Sequence, residues 1–209
     1  MISHTASSER QRVSPFPPVI IATLGTISLL VYGYMTPRFQ LMEFGVLFVA
    51  ILFCAVGYTQ NVVRSLASGV ALYLTAGLAV RFYVGAAPYI GSPFGEEITR
   101  NILTLSYVVL ALAFWALLES LSRAFLRDAS LPWLGFFDHL SAAVVYLILG
   151  LLVASILFTV LGYSSQLRGQ HNASVLRPVF NEIFRPVYIS QTPWFAQRSP
   201  AIYAYDIHN

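Results

Sequence analysis

The sequence predicts an all-α, polytopic integral membrane protein: a bundle of about five transmembrane helices, followed by a C-terminal amphipathic helix and an extended tail. Three observations carry this. Of 209 residues, 57% are hydrophobic and only 10% charged, against about a quarter charged in a soluble domain, so too little polar surface exists to cover the chain in water. The apolar residues gather into runs, most of them near the ~20 residues that a helix needs to cross a bilayer. The runs are also continuous, without the period-two alternation of a barrel strand.

Residues 1–15 are polar and form an N-terminal tail. The first span covers 16–35. Pro17 and Pro18 stand in its first turn, where a missing N–H has no partner to lose. It closes on Tyr32 and Tyr34 ahead of Arg38, an aromatic-then-basic edge suited to the interface. The second span, 44–58, is short, and Leu41 and Met42 extend it with Glu43 expected at the headgroups. The third, 62–84, has Arg64 and Arg81 near its ends, where long side chains snorkel. Gly69 and Gly77 inside it are small enough to let helix backbones approach closely.

A loop rich in glycine and proline, Gly85 to Arg100, leads to the fourth span at 102–121. The fifth, 140–163, carries no charge. Its Gly150 and Ala154, four apart on one face, form a second helix-packing contact. Residues 164–209 hold no span and read as an extramembrane tail. Within it, 177–185 reads as an amphipathic helix: Pro178 suits its first turn and Pro186 is expected to stop it. Val175, Leu176, Val179, Phe180, Ile183 and Phe184 fall on one side, with Arg177, Asn181, Glu182 and Arg185 on the other. Tyr188, Trp194, Phe195, Tyr203 and Tyr205 follow in an expected extended stretch, with more aromatic density than disorder carries.

The net charge of +3 comes from scattered arginines, with no lysine. No basic cluster of the kind that binds nucleic acid is present. The arginines read as interfacial anchors, and their distribution favours a cytoplasmic N-terminus with the C-terminal tail outside. Cys54, the single cysteine, excludes an intramolecular disulfide and reads as a small hydrophobe. The polar first fifteen residues, followed by a run without a convincing cleavage site, predict no cleavable signal peptide.

Chemistry is sparse. No phosphate loop, zinc helix or nucleophile elbow is visible, so neither an enzyme nor a resident cofactor or metal is expected. Glu119 is the deepest ionisable residue, and Arg123 stands four residues on, in position to neutralise it. His139, beside Asp138 at the mouth of the fifth span, is the one candidate ligand for a haem or pigment. An interfacial capping role fits it better, since adjacent helical residues point in different directions.

Residues 44–165 resemble the colicin V production protein family of small bacterial membrane proteins. The resemblance rests on Gly57 and Arg64 in "GYTQNVVRSLASGVALYLTAGLAVRFY" and on "FFDHLSAAVVYLILGLLVASIL" leading the last span. Asp138, Ser141, Ala142 and Ala143 match the family's acidic and small residues there, while of its glycines only Gly150 remains. The resemblance implies a four-helix membrane core in the bacterial inner membrane and a link to export or envelope homeostasis, without catalytic residues.

Three functional expectations follow. The first is a non-catalytic accessory or scaffold subunit of a larger membrane complex, of respiratory or photosynthetic type. It would dock through small-residue helix faces and through Val179, Phe180, Ile183, Phe184, Tyr188, Trp194, Phe195 and Tyr203. The second is a channel or export component, with a polar face built from Ser65, Ser68, Thr75, Thr104 and Ser106. The third is pigment or haem binding through His139.

Overall fold

Residues 16–92, 99–126, 136–194 and 200–203 are described by the computed structural model of the chain. Regular structure among them is entirely helical: α1 (Phe16–Met35), α2 (Leu41–Gly57), α3 (Val62–Gly91), α4 (Arg100–Phe125), α5 (Phe136–Tyr163), α6 (Arg168–Ala173) and α7 (Arg177–Gln191), with a 3₁₀ turn at Thr192–Trp194. Four of these helices, α1, α3, α4 and α5, are long and apolar enough to cross a membrane.

α2 is shorter at 17 residues, about 25 Å at ~1.5 Å per residue, and it lies alongside α5. At one end the Met42 amide donates to Gln170 Oε1, beyond the end of α5. Midway, Gly150 of α5 lies against Ala50 and Phe53, where an added Cβ would stand 2.7 Å from Phe53 Cβ and 2.9 Å from Ala50 Cα. At the other end Gly57 lies against Tyr146 and Ala142 of α5. Glycine at these two positions lets the backbones meet, and the short helix is thereby held against α5 along its whole length.

The bundle therefore has a near face, with the start of α1, the α2–α3 turn, the end of α4 and the start of α5. The far face holds the start of α2, the end of α3, the start of α4 and α6. α2 pairs with α5 and α3 with α4, while α1 packs chiefly on α2 and is the most exposed of the four long apolar helices. At the near face the turn is closed by side chains. Asn61 Oδ1 accepts the Arg64 amide at 2.9 Å, and Asp138 Oδ1 accepts the Val62 amide at 2.9 Å. Two of the orphan amides of the α3 N-terminus are satisfied in this way.

Two proline readings are corrected. α3 continues through Pro88 to Gly91, where a loop is expected from Gly85. Pro88 lies in the last turn on the exposed side, while Ala87 beside it is fully buried, so packing holds the helix past the lost amide. Likewise α7 passes Pro186, its expected stop, and ends at Gln191. Pro186 faces outward, and buried Phe184 and Gln191 pin the helix on either side of it. The stretch after Pro186, expected to be extended, is thus helical as far as Trp194.

Candidate functional site

The C-terminal segment re-enters the bundle. α6 sits at the far face, where His171 is fully buried with its ring 4.5 Å from that of Phe158. Gly162 makes the room, since a Cβ there would lie 2.3 Å from the imidazole. The chain then turns on Glu43. This carboxylate, at 0% exposure, accepts the Gln40 amide at 2.7 Å, the Leu176 amide at 2.9 Å and the Ser174 hydroxyl. Glu43, expected at the headgroups, stands at the far-face end of α2 with its side chain buried in protein. It is a buried clamp, and its three donors satisfy the charge.

From that clamp α7 runs back along α5 and α3, antiparallel to both. Phe180 stacks on Phe158, 4.7 Å between centroids. Phe184 joins Val80, Tyr83 and Val160 in the core. Val187 and Gln191 border a slot of about 70 Å³ together with Gly69, Leu72, Leu149 and Leu152. The Tyr73 hydroxyl donates to the Ser190 carbonyl at 2.7 Å, and Gln191 Nε2 reaches the Tyr73 carbonyl at 3.4 Å. Tyr73 and Leu149 belong to the middle parts of α3 and α5, helices long and apolar enough to cross a membrane. α7 thus descends from the far face and ends near mid-depth, where Tyr73 caps one of its orphan carbonyls. The chain then returns, because Tyr203 is buried against Tyr107 of α4 with the two hydroxyls 2.8 Å apart. Burial pushes the Tyr203 hydroxyl well above its ordinary value.

The outward side of α7 is unlike the rest of the bundle surface. Glu182, Arg185 and Ser190 are exposed there, among Val175, Val179 and Ile189. Among the described residues neither Glu182 nor Arg185 has an ion-pair partner.

A second polar cluster lies near the opposite face. Ser68 Oγ donates to Glu119 Oε2 at 2.9 Å and lies 2.9 Å from the Tyr146 hydroxyl, while Arg123 Nε pairs with Glu119 Oε1 at 3.1 Å. The Arg123 side chain is 62% exposed against 10% for Glu119. Glu119 is therefore tied into the α3–α4–α5 contact, not open to a route.

The docking set divides against this geometry. Phe180, Phe184 and Tyr203 are at most 1% exposed and grip the chain's own helices: Phe180 packs on Phe158 between α2 and α5, while Phe184 and Tyr203 pack with Tyr83, Tyr107 and Val160 among α3, α4 and α5. Ile183 and Tyr188 are half-buried, and Val179 is exposed. Trp194 lies in the 3₁₀ turn, and Phe195 falls outside the described residues. The helix-packing residues separate too: Gly150 meets Ala50 and Phe53, Gly69 meets Leu149, and Gly77 and Ala154 are buried. His139 turns its Nδ1 to the Gln60 carbonyl at 3.0 Å, with its ring beside Tyr58. That nitrogen is occupied in bracing the α2–α3 turn.

The polar face expected for a channel does not line a path within one copy. Ser65, Ser68, Thr75, Thr104 and Ser106 are all buried. The Ser65 and Ser106 hydroxyls donate to carbonyls in their own helices, and Thr104 donates across to Val160. Sequence reading misses Glu43, Tyr73, His171 and Gln191 as organising residues. Only Glu43 leaves a local signal, as the acidic residue three places after Gln40 at a helix start.

Helices of this length and apolarity, packed through small residues with one helix folded back among them, define a multi-pass membrane protein. No curated protein and no solved structure matches the chain. The chain belongs to the colicin V production protein family, whose model matches residues 42–185, more than half of its length. The match begins with α2, leaves out α1, and runs beyond the fifth span through α6 and into α7. The re-entrant helix is therefore largely within the family region and is no appendage to it.

Proposed function

We propose that this protein is a non-catalytic transport component of the export or channel type, resident in a bacterial inner membrane, in which the outward face of α7 borders a water-filled path. The observation that carries this reading is the descent of α7 to mid-depth with Glu182, Arg185 and Ser190 turned outward. Charged side chains at membrane depth face protein interior or water, because hydrocarbon solvates them at a cost of several kcal/mol. Re-entrant backbone at such depth lies in protein or lines an aqueous cavity. Family membership supports a role in export, and the proposed orientation places the near face in the cytoplasm and α6 outside.

Cysteine labelling tests the reading. In a Cys54→Ala background, single cysteines replace Glu182, Arg185 and Ser190, with Val144, an apolar residue exposed on α5, as the lipid-facing control. A membrane-impermeant thiol reagent is expected to label the three α7 positions at least ~10-fold faster than position 144, since only thiolate exposed to water reacts. Equal, slow labelling at all four positions removes the aqueous path.

A further inference from the structure

The outward stripe of α7 has a regular composition. Val179, Glu182, Arg185 and Ile189 recur three or four residues apart and share one side of the helix, Val175 stands just ahead of its start, and all five are exposed. This is the spacing of a seam between helices. Apolar residues stand at its two ends and one acid–base pair in its middle. Nothing among the described residues covers it, and lipid offers no partner to Glu182 or Arg185.

We propose that this stripe is the contact between two copies of the chain, related by a two-fold axis along the bilayer normal that passes beside α7. Both copies insert in the same sense, so the two α7 helices run side by side in one direction. The stripe is then its own complement. Glu182 of one copy reaches Arg185 of the other across one turn of helix, and the reverse pair forms at the same time. Val179, nearest the clamp at the far face, meets its own equivalent close to the axis. Ser190, at the deep end, faces the space between the two helix tips. A two-fold pair therefore neutralises both charges, and the flanks of the seam, with Ser190 at its deep end, are left to border the aqueous path. The inference rests on that reading of the α7 face, and it names the partner as the chain itself.

The test uses the full chain in lipid nanodiscs. Native mass measurement is expected to find twice the 23.1 kDa of a single copy. Glu182→Arg sets like charges against each other and is expected to weaken pairing at least ~10-fold, while Glu182→Arg with Arg185→Glu restores it to within ~3-fold, as a repulsive element and its repair should. In the Cys54→Ala background, Val179→Cys is expected to form an inter-copy disulfide under mild oxidation. These are exposed positions on a helix pinned by its other face, and retained protection of the segment from protease shows that each variant is folded. A single copy in the nanodisc overturns the inference, and if positions 182, 185 and 190 still react with the water-borne reagent, the aqueous path survives without it. A pair unaffected by Glu182→Arg, or one that never bridges at position 179, places the interface elsewhere and also overturns it. A pair that follows the charge swap while the three positions resist the reagent keeps the interface and removes the path.

Discussion

Glu43 and Leu176 stand 133 residues apart in the chain, and the carboxylate of one accepts the backbone amide of the other at 2.9 Å. One buried acid at the start of α2 thereby sets where the C-terminal segment turns back into the bundle. The hydroxyl of Ser174 and the amide of Gln40 complete its coordination, so the clamp closes only when α2, α6 and α7 are all in place.

Removing that acid should release the re-entrant helix before it unfolds the bundle. Glu43→Ala takes the shared acceptor from the buried Ser174 hydroxyl and from the half-buried amides of Gln40 and Leu176, at a cost of about 2–3 kcal/mol. Glu43→Gln, which keeps an acceptor oxygen, should cost less. Limited proteolysis within 170–191 checks this, with faster cleavage expected in the order wild type, Gln, Ala.

Gly150→Ala should be markedly more damaging than Gly45→Ala. The added carbon at 150 meets Ala50 backbone at 2.9 and 3.0 Å, whereas position 45 has nothing within 4 Å. Forcing α2 and α5 apart costs about 1–3 kcal/mol, and at Gly45 the exchange should be neutral or slightly stabilising through helix propensity. Thermal unfolding of the two variants in detergent separates them.

The near-face cluster predicts an asymmetry between its two arms. Arg123→Ala should change stability by less than ~1 kcal/mol, because its side chain is mostly solvated and the pair is screened. Ser68→Ala should cost about 1–3 kcal/mol, since it strips a partner from both Glu119 and Tyr146 inside the bundle. Unfolding midpoints of the two single variants measure the difference.

The Tyr107–Tyr203 bond holds the returning end of the chain. Tyr107→Phe should loosen residues 200–203 by about 1 kcal/mol, read as faster amide exchange there. The Tyr203 hydroxyl is raised above its ordinary value of 10.0 by burial. The folded state therefore favours the neutral phenol, and its contribution is fully present below pH 10 and is lost as pH rises beyond it. Amide exchange at 200–203 should be flat with pH in its opening equilibrium up to that point and increase above it, and Tyr203→Phe should remove the alkaline rise.

Composition and run length by themselves determined that this chain is a helical membrane protein, because burial in hydrocarbon demands ~20 apolar residues and internal backbone bonding whatever the neighbours are. The helix-packing role of Gly150 was legible for the same reason: a missing side chain in an apolar helix marks a close approach. Tertiary structure alone decided where the C-terminal segment goes. An amphipathic helix with Phe180 and Phe184 on one face fits a bilayer surface, a partner groove or the chain's own core equally well by pattern. Only Phe158 beneath Phe180, the core of Val80, Tyr83 and Val160 around Phe184, and the carboxylate of Glu43 at the Leu176 amide select the last. Those residues lie far apart along the chain, so no local period records their meeting, and the same folding that hid the aromatics turned Glu182 and Arg185 outward.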